Sequence, residues 1–256
     1  MHVFDGSAPS AQAHYRPVPR PLAQIEQLAG AHGCGHLVLV QPSVYGTDNT
    51  LVLEGLRGSA GRHRGVVVLH GGESDADLDV MHAAGVRGVR FNFVSPVGSS
   101  QDEVPALLDR LAPRLRRLGW HVQWYASPRQ LAQIAQWQRA HGLTFVLDHL
   151  AGMTPLHGED AEAWKALAWL AEAGTWIKLS GWYRLQAQAP YEALHPVIRR
   201  VAELFAARMV WGSDWPHTSF APHELPAYGS VWSPVVQALG EERARKVRDA
   251  GKGLYA

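Results

Sequence analysis

The stretch GVVVLHGGESDADLDVMHAAGVRGVRFNF, residues 65–93, decides the fold because it contains a complete strand, helix and strand repeat. The apolar run at 65–69 predicts a buried strand. A segment of helical period at 75–85 begins with Asp and stops at a glycine, as helix ends prefer. A second strand-like run follows at 88–91. Continuous apolar strands separated by helices predict a parallel sheet that is covered by helices.

The same alternation extends over the whole chain. Strand-like runs occur at 2–4, 36–40, 65–69, 88–91, 121–125, 144–148, 176–180 and 208–211, and helix-like segments lie between them. Eight such units in 256 residues predict an α/β fold, a (β/α)8 TIM barrel formed by a single domain over 1–256. A doubly wound open sheet is the alternative. It usually has a glycine-rich nucleotide fingerprint after an early strand, and this sequence has none.

Composition excludes several classes of partner. Lys and Arg total 24 against 23 Asp and Glu, without a long run of one sign, which argues against nucleic acid or an anionic membrane. The apolar stretches are far shorter than the ~20 residues of a membrane helix. The single cysteine, Cys34, excludes an intrachain disulfide and fits a reducing compartment. We therefore expect a cytoplasmic protein, and its oligomeric state stays open.

Polar residues follow nearly every predicted strand, at the end where TIM barrels carry their active sites. The candidates are His2, Ser43, Tyr45, Arg90, Tyr125, His149, Arg184 and Asp214. A single His or Asp at a strand end more often holds a loop, and we interpret Asp148 in that way. An arginine such as Arg90 within a barrel strand is costly unless it meets a carboxylate or an anionic ligand. Convergence of so many polar groups on one rim favours a catalytic site.

Five segments together resemble a known family: VQPSVYGTDN, GVRGVRFNF, HVQWY, VLDHLAG and VWGSDWPH. They are similar to the amidohydrolase-2 branch of the amidohydrolase superfamily, and within it to the 2-pyrone-4,6-dicarboxylate lactonases and sulfomuconolactone hydrolases. The resemblance covers essentially the whole chain. It implies a TIM barrel that hydrolyses a small carboxylated lactone in aromatic catabolism.

The resemblance also implies catalytic roles. Asp214 matches the aspartate that deprotonates the attacking water, and His2 and His149 match two histidines of the family. On chemical grounds we expect these histidines, with Tyr125, to polarise the carbonyl. The superfamily's usual cofactor is a divalent metal such as zinc, and its implied ligands here are His2, His149 and Asp214. Metal is not universal among the family's lactonases, so a metal-independent reaction stays open.

Substrate binding is implied for a second group of residues. Arg90, Tyr125 and Arg184 resemble groups that hold substrate carboxylates and polarise the carbonyl. Ser43 and Tyr45 occupy positions of further substrate contacts. The expected partner is therefore a small ring compound that carries carboxylates.

Two departures from the family pattern matter. The family begins with an HxH pair, of which His2 matches the second histidine, so the first would lie before Met1. We expect either a natural start upstream of Met1, which we favour, or a truncated first strand that lacks one ligand. The loop VSPVGSS, residues 94–100, has no basic residue where the family carries an arginine. The second carboxylate clamp, and with it the natural substrate, therefore stays open.

Two other functions remain as alternatives. The first is a metal-dependent decarboxylase of an aromatic acid, against which the missing histidine counts. The second is a catalytically dead barrel that binds a small anion, against which Asp214, His149, Arg90 and Arg184 count.

Overall fold

The structure is a computed structural model that describes residues 1–7, 9, 13 and 15–256. Within these residues, strands alternate with helices along the chain. The strands are β1 (Val38–Val40), β2 (Arg64–Val67), β3 (Val86–Asn92), β4 (His121–Tyr125), β5 (Phe145–Leu147), β6 (Trp176–Leu179) and β7 (Met209–Trp211). The helices are α1 (Leu22–Gly30), α2 (Thr50–Gly58), α3 (Asp75–Ala84), α4 (Val104–Leu118), α5 (Leu131–His141), α6 (Ala161–Glu172), α7 (His195–Phe205), α8 (Ser233–Leu239), α9 (Glu241–Asp249) and α10 (Gly251–Leu254). No helix in this part of the chain is long and apolar enough to cross a membrane.

The strands form one sheet in which they follow chain order from β1 to β7. Parallel registers join β1 to β2, β2 to β3, β5 to β6 and β6 to β7. Parallel strands in chain order with helices between them are the repeat of a TIM barrel. The predicted α/β class is confirmed, and seven of the eight predicted strands occur among the described residues.

The first predicted strand, residues 2–4, is not confirmed as a strand. Met1 O accepts a hydrogen bond of 2.8 Å from Val40 N, so the chain starts alongside β1. Phe4 then forms an isolated antiparallel bridge with Arg20, with N···O distances of 3.2 and 2.6 Å. Because Phe4 pairs with Arg20 and not with β1, the ladder ends too early for a regular strand.

The chain divides into two compact units. The first consists of Met1–Gln123 with Asp214–Leu225, and the second consists of Trp124–Ser213 with Pro226–Ala256. The single domain over 1–256 stays a prediction, and each unit is described by itself.

In the first unit, helix α2 packs on β1 and β2, while α3 and α4 pack on β3. Gly65 in β2 permits the close approach of α2, since a Cβ at this position would lie 2.6 Å from Leu56 Cδ1. Helix α3 begins with a capping box in which Asp77 N donates to Ser74 Oγ at 3.1 Å and Ser74 N donates to Asp77 Oδ2 at 2.9 Å. Such caps contribute about 1 kcal/mol each, which accounts for the predicted start of this helix.

In the second unit, tryptophans fill much of the core. The ring of Trp124 in β4 stacks on Trp137 at 5.3 Å and meets Phe145 at 5.2 Å between ring centres. The indole of Trp182 is fully buried and donates to Val231 O at 2.8 Å.

Helix α8 was not predicted, because its seven residues are too few to show a helical period.

Candidate active site

In the first unit, the structure brings His2 and Asp214 together. His2 Nε2 lies 3.7 Å from Asp214 Oδ1, and both side chains are largely buried. A backbone hydrogen bond of 2.9 Å from His2 N to Trp215 O holds the two segments side by side. The sequence prediction that these distant stretches meet is therefore fulfilled within this unit.

The partner of the other ring nitrogen determines what His2 can do. Its Nδ1 lies 2.8 Å from Val40 O. A carbonyl oxygen only accepts hydrogen bonds, so Nδ1 must carry the proton and donate it. The neutral ring then presents an unprotonated Nε2 toward Asp214, which makes this nitrogen an acceptor, whereas the predicted polarisation of the carbonyl by His2 needs a donor.

Burial favours the neutral form of His2. Burial lowers the pKa of His2 below its ordinary value of 6.5, the Asp214 carboxylate opposes this change, and the charge of Arg90 adds to the lowering. At neutral pH the pair thus consists of an unprotonated His2 Nε2 beside a carboxylate oxygen of Asp214. Two acceptors at this separation can receive both protons of one water molecule.

Asp214 owes its position to a sharp turn after β7. Its φ angle is 55°, and His217 N donates to Asp214 O at 3.0 Å to close the turn. A left-handed conformation costs a residue other than glycine about 1–3 kcal/mol, and it persists only where the surroundings enforce it. Such strain is common at active sites, and here it places a largely buried carboxylate beside His2.

In the second unit, His149 lies in a more extended distortion after β5. Three consecutive residues other than glycine have positive φ angles: 50° at His149, 52° at Leu150 and 57° at Ala151. L-amino acids adopt the left-handed conformation at a cost of about 1–2 kcal/mol per residue. The turn buries the imidazole of His149, which is 5% exposed.

Ser180 and Tyr125 surround this imidazole. Ser180 Oγ, directly after β6, lies 2.9 Å from His149 Nδ1. The Tyr125 ring at the end of β4 meets the imidazole edge-on, with ring centres 4.8 Å apart and planes at 87°. The structure thus brings together two of the predicted residues, Tyr125 and His149, and adds Ser180, which the sequence interpretation missed.

Gly181 provides the space that the imidazole occupies. A Cβ at Gly181 would lie 2.7 Å from His149 Cγ and closer still to Nδ1. Its φ angle of 65° also falls in the left-handed region that favours glycine. Both features require glycine here.

Asp148 was interpreted as a residue that holds a loop, and the structure shows what it contacts. Its Oδ1 lies 3.1 Å from Lys178 Nζ, and both side chains are almost fully buried. Lys178 and Ser180 are two positions apart at β6, so they lie on one face and contact the consecutive residues Asp148 and His149. The sequence offered one signal for this pair, the lysine within the apolar run WIKLS.

The remaining predicted binding residues of the first unit differ in environment. Arg90 lies in β3 and is 7% exposed, close enough to His2 for its charge to lower the pKa of that histidine. Ser43 is half-buried at the start of the turn that follows β1. Tyr45 closes the same turn and packs against Phe4, with ring centres 5.9 Å apart. Its ring therefore belongs to a small apolar cluster, and its predicted substrate contact stays a prediction.

In the second unit, Arg184 lies in a short turn after β6. Arg184 N donates to Gly181 O at 2.8 Å, and its guanidinium carbon is 5.0 Å from the ring centre of Tyr183. Arg184 is half-buried. Its predicted grip on a substrate carboxylate stays a prediction.

No catalytic zinc site is seen among the residues that the structure describes. Such sites use three protein ligands and an open position. Among residues 1–7, 9, 13 and 15–256, no group of three or more His, Cys, Asp or Glu side chains could hold a metal ion. The ligand set His2, His149 and Asp214 stays a prediction, and no catalytic step below is assigned to a metal.

Comparison with known proteins agrees with the resemblance seen in the motifs. The model of the amidohydrolase family, Amidohydro_2, matches residues 2–248, which is nearly the whole chain. The chain belongs to the amidohydrolase family. The predicted resemblance is therefore confirmed.

Two relatives are hydrolases of lactones. The 2-pyrone-4,6-dicarbaxylate hydrolase of Comamonas testosteroni is 34% identical, over 94% of this chain and 82% of that protein. The 4-sulfomuconolactone hydrolase of Rhizobium radiobacter is 29% identical, over 93% of this chain and 81% of that protein. This member of the amidohydrolase family is accordingly an enzyme of the hydrolase class.

Solved structures have the same fold. One from Acinetobacter baumannii, described as a probable 2-pyrone-4,6-dicarboxylic acid hydrolase with citric acid bound, has a TM-score of 0.84 and 26% identity and covers 99% of this chain and 96% of its own. An amidohydrolase from Burkholderia multivorans with bound zinc has a TM-score of 0.73 and 21% identity, over 98% of this chain and 95% of its own. The second likeness concerns the fold alone.

Proposed function

We propose that this amidohydrolase opens a small carboxylated lactone of the 2-pyrone-4,6-dicarboxylate type by attack of water on the ring ester. The observation that carries the proposal is the buried pair of acceptors, His2 Nε2 and Asp214 Oδ1, 3.7 Å apart. Ester hydrolysis needs a base that holds and deprotonates water, and this pair can do both. The names of the two relatives support a lactone as substrate.

In the proposed mechanism, Asp214 takes a proton from the water while the water oxygen forms a bond to the lactone carbonyl carbon. His2 Nε2 accepts the second water proton in a hydrogen bond and orients the molecule. The tetrahedral intermediate then collapses, the bond between the carbonyl carbon and the ring oxygen breaks, and Asp214 returns its proton to the leaving oxygen. Water is the only co-reactant: one of its protons reaches the leaving oxygen through Asp214, and the other stays on the new carboxyl group until it is released to solvent.

The developing oxyanion needs a hydrogen-bond donor, and we assign this role to His149, assisted by Tyr125. Their rings meet edge-on at 4.8 Å, so the phenol stabilises the orientation of the imidazole. A single preorganised donor to an oxyanion is typically worth about 3 kcal/mol of barrier.

We assign Arg90 and Arg184 to the substrate carboxylates and Ser43 and Tyr45 to further substrate contacts. Arginine suits this role because its planar guanidinium binds a carboxylate through two parallel hydrogen bonds. Citric acid, a tricarboxylate, is bound to the similar Acinetobacter baumannii protein, which supports a carboxylated ligand. A cytoplasmic role in aromatic catabolism forms part of the proposal.

Turnover of a panel of carboxylated lactones, followed by ultraviolet absorbance, tests the proposal. We expect the ring to open in the wild-type chain and kcat to fall by about 10³-fold in Asp214→Asn, because general-base catalysis contributes factors of that order. Asparagine tolerates the positive φ angle at this position, so the variant should fold.

Asp79→Asn is the matched control, because Asp79 is an exposed carboxylate paired with Arg117 at 2.7 Å. It should leave kcat unchanged. Absence of turnover on every lactone would reject the proposal and favour the anion-binding or decarboxylase alternatives. Equal activity of Asp214→Asn and the wild type would reject Asp214 as the base.

A further inference from the structure

The imidazole of His149 is confined on several sides within the second unit. Ser180 Oγ lies 2.9 Å from its Nδ1, the Tyr125 ring lies against it edge-on, and the bare backbone of Gly181 allows the ring to fit. The backbone of His149 is itself in the left-handed region, with φ 50°. Strained conformations persist where the surroundings over-determine them, so these contacts fix the place of the ring. They do not by themselves decide which nitrogen carries the proton.

The partner atom decides the tautomer, as a comparison with His2 shows. The Nδ1 of His2 faces the carbonyl oxygen of Val40, which can only accept, so the proton lies on Nδ1. The Nδ1 of His149 faces the hydroxyl of Ser180, which can also donate. If the hydroxyl donates, the neutral ring must carry its proton on Nε2. The two histidines would then present opposite functions, an acceptor at His2 and a donor at His149.

We propose that Ser180 is a positioning residue whose hydroxyl donates to His149 Nδ1 and thereby fixes the Nε2–H tautomer that polarises the lactone carbonyl. The inference rests on the proposed lactone hydrolysis, which needs a donor at the carbonyl oxygen in addition to a base for the water. Histidines that depend on an outer partner for their tautomer typically lose 10- to 100-fold in function, in order of magnitude, when this partner is removed, as is known for metal ligands.

The fold explains why a serine can perform this task. Ser180 is the first residue after β6, and its side chain lies on the same face as Lys178. Lys178 holds Asp148, while Ser180 holds the next residue, His149. One face of β6 thus supports two consecutive residues of the distorted segment after β5.

Kinetics of variants provide the first test. We expect Ser180→Ala to lower kcat by about 10- to 100-fold with little change in KM, because the loss concerns polarisation and not binding. Ser180→Thr keeps the hydroxyl and should recover most of kcat. Ser59→Ala is the control for loss of a buried hydroxyl elsewhere, since Ser59 Oγ donates to Leu56 O at 2.7 Å in the first unit. It should leave both constants unchanged.

Nitrogen-15 NMR of histidine-labelled protein tests the tautomer without any substrate. The signals of His149 are assigned by their absence from the spectrum of His149→Asn. We expect an unprotonated Nδ1 and a protonated Nε2 in the wild type, and a mixture of tautomers in Ser180→Ala. A protonated Nδ1 in the wild type, or a kcat of Ser180→Ala equal to that of the wild type, would overturn the inference. Because the spectrum does not depend on turnover, the tautomer of His149 can be determined even if the protein hydrolyses no lactone. Failure of the inference and failure of the proposed function can therefore be distinguished.

Discussion

Two histidine clusters, one in each unit, place different kinds of atom against the Nδ1 of their histidine. The Nδ1 of His2 lies 2.8 Å from a backbone carbonyl, and the Nδ1 of His149 lies 2.9 Å from a serine hydroxyl. The first partner can only accept, whereas the second can donate. The comparison teaches that the tautomer of a histidine is determined by the hydrogen-bond partner of its Nδ1, which no motif of the sequence reveals.

The backbone of the two clusters differs as well. Asp214 occupies a single left-handed position beside His2, whereas His149 begins a run of three such residues. The longer distortion needs more support, and β6 provides it through Lys178 and Ser180. The first cluster receives its support from the backbone bond between His2 N and Trp215 O.

The largest expected effect comes from removing the key residue of each cluster together. We expect Asp214→Asn and His149→Asn each to lower kcat by about 10³-fold, while the double variant loses no more than about 10-fold beyond the worse single variant, because residues that act as one unit are grossly non-additive. Steady-state kinetics of the wild type, the two single variants and the double variant form a double-mutant cycle. Asp214→Asn combined with Asp79→Asn is the control pair. Full multiplication of the two losses would contradict a joint role in one chemical step.

A smaller effect is expected at Gly181, where the backbone makes room for His149. Gly181→Ala places a methyl group within 2.7 Å of His149 Cγ. We expect kcat to fall by about 100-fold, because displacement of a reacting group by roughly 1 Å can cost that much. We would measure both kcat and the midpoint of urea unfolding for Gly181→Ala and the wild type.

Gly174→Ala is the matched control for Gly181→Ala. Gly174 has φ +88° but no heavy atom within 4 Å of the position of a Cβ. Gly174→Ala therefore introduces backbone strain of about 1–3 kcal/mol without a steric collision. It should lower the free energy of unfolding but leave kcat unchanged. A similar loss of kcat in both variants would show that strain and not the displacement of His149 causes the effect.

Much of the fold could be predicted from the sequence because buried parallel strands and amphipathic helices leave strong periodic patterns. Residues 2–4 show the limit of this method. Their composition is strand-like, but whether Phe4 continues along β1 or turns to pair with Arg20 depends on tertiary contacts. The fate of a short apolar segment is thus decided by its partner and not by its own pattern.

The site could be predicted less completely than the fold. Titratable side chains at strand ends, such as Asp214 and His149, stand out in a barrel sequence. Ser180 and Gly181 do not, since a serine and a glycine after a strand are ordinary loop residues. Their importance arises only once the left-handed turn at His149 brings the imidazole against them. Lys178 was the one visible signal, and its partner could not be inferred without the turn.

The smallest expected effect concerns the pH dependence of stability at His2. Burial lowers the pKa of His2 below 6.5, its ordinary value and the one that applies in the unfolded chain. The unfolded state therefore binds more protons than the folded state between these two pKa values, so stability falls as the pH drops below 6.5 and is fully retained above it. His2→Gln should flatten this part of the profile of unfolding free energy against pH.

The control for His2→Gln is His36→Gln. His36 Nδ1 also lies against a carbonyl, Arg62 O at 2.9 Å, but its side chain is exposed. The two histidines thus form the same type of hydrogen bond, each to its own backbone carbonyl. They differ in burial, which is the main cause of the lowered pKa of His2. Urea unfolding between pH 5 and 8 should show a smaller slope of the unfolding free energy against pH for His2→Gln than for His36→Gln. An unchanged slope in His2→Gln would mean that Asp214 offsets the effect of burial, and it would contradict the lowered pKa of His2.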